Sequence, residues 1–224
     1  MSSHFNEQAA ASYLDGPPRQ VPGYAGLLRM TTLLLAERMP ADGRVLVLGA
    51  GGGMEIKAMA DDHPSWSFDG VDPSAPMLQL AGRTIEPHAA RVRLHEGYID
   101  AAPDGPFDAA TCILVFHFMT HEQRRDALRQ LRRRLKPGAP LVLAHISFPQ
   151  AEPERSLWIG RHVAFGAAAG LTVEQMESAR QAIGTRLLIL PPEEEEAMLV
   201  EAGFTRISQF YAAFSFRGWV AYAG

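Results

Sequence analysis

The sequence has little of what marks secreted or membrane proteins. Cys112 is the single cysteine among 224 residues, which excludes an internal disulfide framework and suits a reducing compartment. No apolar run approaches the about 20 residues that a membrane-spanning helix needs. Residues 1–7 also lack the basic and apolar pattern of a signal peptide. These absences predict a cytoplasmic protein with no membrane partner.

The chain also lacks a basic excess and a metal-ligand pattern. It has 21 basic against 25 acidic residues, a net charge of −4, which argues against a general nucleic-acid binder. Arginines crowd residues 124–134, but Glu122 and Asp126 interrupt them, and a solvated helix face explains them more simply than an RNA surface does. The histidines show no ligand spacing. We expect no nucleic-acid partner and no metal.

The most informative stretch is the apolar run 45–48, followed by Gly49, Gly51 and Gly53 and then by a helical pattern from Met54. A buried parallel strand reads as a continuous apolar run. Glycines directly after it let the backbone turn and approach a ligand closely. The dinucleotide fingerprint would require a glycine where Met54 stands. The loop therefore predicts a different nucleotide-like ligand, although a turn that serves packing alone stays open.

Strand and helix patterns alternate along the rest of the chain. The predicted strands cover residues 67–72, 91–94, 107–114, 140–146, 204–211 and 214–222, and the predicted helices cover 24–39, 74–86 and 121–135. Such alternation is typical of βαβ units around a mostly parallel sheet, and the last two strands suit an antiparallel pair. We expect one α/β domain over residues 1–224, with a helical cover at 1–40 and a helical insertion at 148–190.

Three motifs together resemble a known family. The glycine loop reads G-x-G-x-G, Asp72-Pro73-Ser74 ends the second strand, and Lys136-Pro137-Gly138 precedes the fifth. In this order they resemble the motifs of the class I S-adenosylmethionine (SAM) methyltransferases. The resemblance implies a doubly wound, mostly parallel seven-stranded α/β sheet with a C-terminal antiparallel hairpin. It also implies SAM as the cofactor and S-adenosylhomocysteine as the product.

The resemblance further implies which residues contact the cofactor. The matching positions are Gly49, Ala50, Gly51, Gly53, Asp72, Pro73, Tyr98, Ile99 and Ile113. Asp72 would accept hydrogen bonds from both ribose hydroxyls, although a carboxylate before Ser74 also suits a helix cap. Tyr98 stands where the family typically has an Asp that touches the adenine amine. The family often has an acid near the position of Val47, so this loop would hold SAM mostly by its backbone.

The N-terminal part is similar to one subgroup, the carboxy-SAM synthases of tRNA wobble-uridine modification. Val21-Pro22-Gly23-Tyr24, with Phe5-Asn6-Glu7 before it, resembles their opening. The resemblance places Tyr24 over the methionine end of the cofactor. Those synthases carry an Arg before the last helix that pairs with the carboxylate of the modified SAM, whereas a gap-free count puts Leu188 there. Arg186 is two residues away, so a local shift would restore the pairing.

Three functional hypotheses follow. The first is in-line methyl transfer from SAM to a small-molecule acceptor, with His117 and His145 as candidate bases and His162 as a further one. Each of these histidines also suits a purely structural role. The insertion at 148–190 is expected to form the acceptor pocket or a homodimer contact. The second hypothesis is an enzyme that carboxylates SAM, and the third is a non-catalytic SAM-binding module.

Overall fold

The computed structural model describes residues 13–224, and these form one seven-stranded sheet covered by helices on both faces. The strands are β1 (Arg44–Leu48), β2 (Ser67–Asp72), β3 (Val92–Glu96), β4 (Ala109–Ile113), β5 (Pro140–Ile146), β6 (Phe204–Ala213) and β7 (Phe216–Ala223). Their order is β3-β2-β1-β4-β5-β7-β6. Strands β1 to β5 are parallel, while β7 runs antiparallel to both β5 and β6. The predicted doubly wound sheet with its terminal hairpin is confirmed.

Eight α-helices connect and cover the strands within the described residues. They are α1 (Gly16–Gln20), α2 (Tyr24–Ala36), α3 (Met54–Asp62), α4 (Ala75–Thr84), α5 (His121–Arg134), α6 (Glu154–Ala168), α7 (Val173–Gln181) and α8 (Pro192–Glu201). Helices α1 and α2 belong to the predicted N-terminal cover. Helices α6 and α7, followed by a π-helical turn at Ala182–Arg186, occupy the predicted insertion. The motif expected at residues 5–7 lies outside the described part of the chain.

The central strands are buried on both faces because alternate side chains enter two separate cores. In β1, Val45 and Val47 join the core beneath α2 and α3, while Leu46 and Leu48 join the core beneath α5 and α8. We call these the α2/α3 face and the α5/α8 face. Strands β4 and β5 alternate in the same way, and every residue of both strands is buried. A strand buried on both faces needs the continuous apolar run that the sequence shows.

The ends of the helices follow local chemistry. Thr120 caps α5 and forms a reciprocal capping box with Gln123. After α5 the chain turns through Gly138, whose φ of 76° lies in the left-handed region that glycine favours. Strand β5 then starts at Pro140, as predicted. Among the helices of residues 13–224, none is long and apolar enough to cross a membrane.

Candidate functional site

The loop between β1 and α3 needs its glycines for two different reasons. Gly49 and Gly53 have φ values of 83° and 81°, which side chains other than glycine rarely adopt. A Cβ at Gly49 would lie 2.1 Å from a methyl carbon of Val115, at the end of β4. A Cβ at Gly53 would lie 3.0 Å from Cα of Ala81 in α4. Gly49 therefore allows close approach at the strand ends, whereas Gly53 allows close packing of α3 against α4.

Two cavities open beside this loop. The larger, which we call the groove, has a volume of about 700 Å³ and runs along the carboxyl ends of the strands. It is lined by seven of the predicted cofactor-binding residues, namely Gly49, Gly51, Asp72, Pro73, Tyr98, Ile99 and Ile113. Ser74, Met77, Phe118, Met119 and Gln123 also line it, and the sequence motifs did not identify them. Open α/β sheets bind their ligands in this position.

The second cavity, the small cavity, has a volume of about 20 Å³ and lies on the other side of Gly49 and Ile113. Its lining comprises Tyr24, Gly49, Ala50, Gly52, Met54, Glu55, Ile113 and Leu114. The predicted Tyr24 and Ala50 thus lie here, apart from Asp72 and Tyr98 in the groove. Gly53 lines neither cavity, and its predicted contact with the cofactor remains a prediction.

Asp72 ties the glycine loop to the start of α4. The backbone N–H of Gly51 donates to one carboxylate oxygen at 2.9 Å, and that of Ser74 donates to the other at 2.9 Å. Ser74 itself caps α4, since its hydroxyl accepts from Met77. Burial raises the pKa of the Asp72 carboxyl, and the two backbone hydrogen bonds oppose this rise. Asp72 therefore serves the turn before the helix and still presents carboxylate oxygens to the groove.

The remaining groove residues divide into apolar and exposed ones. Ile99 and Ile113 are buried, whereas Tyr98 is 52% exposed. Leu114 lies between the groove and the small cavity with a φ of 63°. A branched residue in the left-handed region is strained, and such strain occurs often at binding sites.

His117 is buried near the groove but does not line either cavity. Burial lowers the pKa of its imidazole well below the usual value, so the ring is neutral at pH 7. Its Nδ1 accepts a long hydrogen bond of 3.4 Å from the backbone N–H of Ile146, which places the ring proton on Nε2. In that tautomer neither nitrogen has a free lone pair with which to accept a proton. The expected role of His117 as a base thus lacks support from this geometry.

His145 points to the α5/α8 face, away from both cavities. Its Nε2 lies 2.9 Å from the Glu195 carboxylate, which also accepts a hydrogen bond from Arg124. All three side chains are at least 98% buried. Burial opposes ionisation of Glu195, but His145 and Arg124 together hold the pKa of its carboxyl below the usual range. The sequence placed His145 at the correct strand end, but the side chain is part of a buried ion-pair cluster.

Two further predictions concern the insertion. The His162 imidazole lies 2.6 Å from the Ser215 hydroxyl, and burial lowers its pKa to about 4. Leu188 packs with the core of the α5/α8 face, and its carbonyl accepts from Arg124. Arg186 is exposed and donates to the carbonyl of Ser178 at 3.4 Å. No local shift therefore brings Arg186 to the position of Leu188.

Comparison with known proteins agrees with this architecture. Residues 45–138 match a family described as methyltransferase domain. The chain is 28% identical to the carboxy-SAM synthase of Chromohalobacter salexigens, over 97% of this chain and 82% of that protein. It is also 28% identical to the carboxy-SAM synthase of Pseudomonas paraeruginosa, over 97% of this chain and 89% of that protein.

A solved structure extends the comparison to the fold. Phosphoethanolamine N-methyltransferase 2 of Haemonchus contortus, in complex with S-adenosylhomocysteine, superimposes with a TM-score of 0.71 at 14% identity. The superposition covers 99% of this chain but spans only 59% of the length of that structure. The superposition shows the fold, and the methyltransferase domain over residues 45–138 together with the similarity to carboxy-SAM synthases supports a SAM-dependent enzyme.

Proposed function

We propose that the groove holds the adenosine part of SAM and that the small cavity, which has room for about one water-sized group, receives the ammonium end of its methionine part. Asp72 offers two carboxylate oxygens at the end of β2, where a ribose would present two hydroxyls. Tyr98 and the buried Ile99 offer an aromatic ring and an apolar surface for the adenine. Tyr24 supplies the wall of the small cavity from α2. This arrangement assigns each predicted contact except that of Gly53.

The residues present fit such a ligand. The left-handed Gly49 brings backbone directly against the junction of the two cavities, where any Cβ would collide with Val115. The small cavity contains a buried carboxyl group, Glu55, with an oxygen that has no hydrogen-bond partner. A cationic ligand would satisfy this oxygen. Both observations favour a ligand that combines a nucleoside with a positively charged tail.

We further propose that the enzyme transfers the methyl group of SAM to a small-molecule acceptor. The single observation that carries this choice is Leu188, a partly buried apolar side chain packed against the core at the position where the resemblance places the arginine of a carboxy-SAM synthase. Arg186 makes its contact elsewhere. These two positions thus provide no guanidinium for a carboxylated product. Bound SAM supplies a methyl group that its sulfonium already activates.

The chain's own contribution to this reaction is positioning and exclusion of water. Correct alignment alone is worth about 7–11 kcal/mol of the barrier. His117 is held neutral with its Nδ1 engaged, and His145 is engaged with Glu195, so neither is placed to remove a proton from an acceptor. The reaction therefore suits an acceptor whose attacking atom needs no deprotonation before it attacks the methyl group. Helices α6 and α7 are the proposed lid over that acceptor, and a homodimer through the same segment remains a prediction.

Mass spectrometry of the ligand that copurifies with the protein tests this proposal. SAM or S-adenosylhomocysteine, together with S-adenosylhomocysteine formation in the presence of small-molecule acceptors, would support methyl transfer. A nicotinamide dinucleotide, or no adenosine compound at all, would contradict it. Asp72→Ala is the matched control, because the variant should lose the copurifying ligand while it keeps the fold.

A second candidate is an enzyme that makes carboxy-SAM. The identity to two carboxy-SAM synthases over 97% of this chain favours it. The Val21-Pro22-Gly23-Tyr24 segment supports it too, since Tyr24 lines the small cavity. Recovery of a carboxylated SAM from the purified protein would establish this reaction and reject ordinary methyl transfer as the primary activity.

A further inference from the structure

Glu55 is a buried carboxyl group without a charged partner among the described residues. It is the second residue of α3, and only 7% of its surface is exposed. Its Oε1 has no hydrogen-bond partner among the described residues. Native structures leave few buried polar atoms unpaired, so each such atom requires an explanation. Glu55 lines the small cavity, which gives this oxygen direct access to a ligand.

Glu55 lies over strands β1 and β4 of the sheet. Val47 in β1 pairs in register with Thr111 in β4, and both side chains point to the α2/α3 face. Glu55 reaches this face from α3, next to Thr111, whose hydroxyl interacts with the Glu55 carboxyl group. The carboxyl group thus enters the region between β1 and β4 from the helix.

We propose that Glu55 binds the α-ammonium group of the methionine part of SAM. Of the residues that line the small cavity, only Glu55 carries a carboxylate, and only Tyr24 also titrates. An ammonium group donates up to three hydrogen bonds, and one of them would satisfy the unpaired Oε1 of Glu55. The inference rests on SAM binding but on neither choice of reaction, because both reactions start from the same cofactor.

The titration of Glu55 adds a measurable consequence. Burial raises the pKa of its carboxyl to about 8, against the opposing effect of Thr111. Glu55 is therefore mostly protonated at pH 7 in the empty protein. An ammonium group in contact with it stabilises the ionised form. SAM binding at pH 7 should then release most of one proton from the protein.

Two other titratable groups lie near Glu55. The Tyr24 phenol shares the small cavity. The Cys112 thiol follows Thr111 in β4 but belongs to the α5/α8 face, and burial raises its pKa well above the usual value, so it keeps its proton at pH 7. Comparison with Glu55→Gln assigns a released proton to Glu55.

Calorimetry measures the release directly. SAM is titrated into the protein at pH 7 in phosphate and in Tris, and the difference in binding enthalpy between the two buffers gives the number of protons released. We expect between one half and one proton per SAM for the unaltered chain, and close to zero for Glu55→Gln. No release from the unaltered chain would mean that Glu55 stays protonated beside SAM, which would overturn the proposal.

Three ligands separate the ammonium from the rest of the cofactor. SAM and S-adenosylhomocysteine both carry the α-ammonium, whereas 5′-methylthioadenosine lacks the entire amino-acid part. Glu55→Gln should weaken SAM and S-adenosylhomocysteine on the order of 10- to 100-fold, as expected for loss of a charged hydrogen bond. It should leave 5′-methylthioadenosine within about twofold. Asp62→Asn, an exposed acid at the end of the same helix, is the matched control and should change none of the three.

The affinities of Glu55→Gln for the three ligands distinguish the possible roles of Glu55. A loss confined to SAM would assign Glu55 to the sulfonium and reject the ammonium contact. Equal losses for all three ligands would show that Glu55 merely supports the glycine loop. Failure of every ligand to bind the unaltered chain would refute SAM binding itself, which is a different result from a failure of Glu55. Unchanged binding of 5′-methylthioadenosine to Glu55→Gln also shows that the variant is folded.

Discussion

Two buried glutamates lie on opposite faces of the same sheet, and they differ in almost everything except burial. Glu195, on the α5/α8 face, is 2% exposed and contacts Arg124 and His145. Glu55, on the α2/α3 face, is 7% exposed and has an oxygen with no partner. The pKa of Glu195 lies below its usual range, while that of Glu55 rises to about 8. Partners, not depth, decide whether a buried carboxyl group is charged.

The contrast separates a structural cluster from a binding group. The Glu195 cluster satisfies itself within the protein and joins α5, α8 and β5. Glu55 lacks an internal cation and lines a cavity. A buried acid without a partner costs stability unless a ligand compensates. The buried Glu55 therefore lowers the stability of the protein without ligand, and a bound cofactor can offset this cost. Glu195 carries no such cost.

The largest effect is expected for Glu195→Gln. This change leaves the buried Arg124 guanidinium without its counter-charge, which typically costs about 3–5 kcal/mol. Urea denaturation should show this loss in the free energy of unfolding. Glu194→Gln, at an exposed neighbour in the same helix, should stay within about 0.5 kcal/mol. A small loss for Glu195→Gln would remove the distinction between the two buried glutamates.

The second prediction concerns pH and the protein without SAM. The pKa of Glu55 is about 8 in the folded protein and 4.5 for an unperturbed Glu, so folding favours the protonated form. Stability should therefore fall as pH rises from about 4.5 and level off above about 8. Glu55→Gln should be nearly equal in stability to the unaltered chain at about pH 4 and more stable by about 2–4 kcal/mol at about pH 8.

Glu195 should have the opposite dependence on pH. Its folded pKa lies below the usual value, so its stabilisation is complete above about pH 4.5 and is lost as pH falls through the folded pKa. Denaturation curves of both variants across pH 3 to 9 check the two directions together. The contrast fails if Glu55→Gln shows no gain at alkaline pH.

The third prediction concerns Asp72→Ala, because Asp72 has partners within the protein and also lines the groove. The variant removes the proposed ribose contact and also the acceptor for Gly51 and Ser74. SAM, S-adenosylhomocysteine and 5′-methylthioadenosine should all bind on the order of 10- to 100-fold more weakly, because all three contain the ribose. Glu55→Gln, by contrast, should spare 5′-methylthioadenosine. Unchanged affinity of Asp72→Ala for SAM would refute the ribose assignment.

The smallest effect is expected for Glu196→Gln. The Glu196 carboxylate accepts a hydrogen bond of 2.9 Å from the indole of Trp219, and the amide oxygen of glutamine can accept the same bond. Because this side chain is in contact with water, its charge contributes little. Glu196→Gln should change the free energy of unfolding, measured by thermal denaturation, by about 0.5 kcal/mol or less. A loss of stability as large as that of Glu195→Gln would show that the position within α8, and not burial with charged partners, determines the effect.

The sequence predicted the fold to near single-residue precision where the signals are local. The bounds of β2 and β5 agree with the predicted strands, and the predicted helix at 121–135 ends one residue early. Continuous apolar runs and the Lys136-Pro137-Gly138 turn are enough to locate the bounds of these elements. The same motifs located seven residues of the groove. Periodicity and turn chemistry act over a few residues, and a sequence displays them directly.

The side-chain assignments were less predictable for a physical reason. His145 was expected to face an acceptor, but successive residues of a strand point to opposite faces, and it faces the α5/α8 core. Glu55 looked like an ordinary acid in the first turn of a helix, where it would favour the helix dipole. Only the packing of α3 over β1 and β4 buries it. Burial results from contacts between distant segments, which no local pattern encodes.

By itself, the sequence determined the order of strands and helices, the glycine loop and the acid at the end of the second strand. Those features come from chain stiffness, glycine freedom and apolar periodicity, all of which are local. The tertiary structure alone decided which carboxyl groups have partners. It paired Glu195 with Arg124, 71 residues away in the chain, and left Glu55 open to a cavity. Charge in a protein interior depends on three-dimensional neighbours, because burial penalises every charge that lacks one.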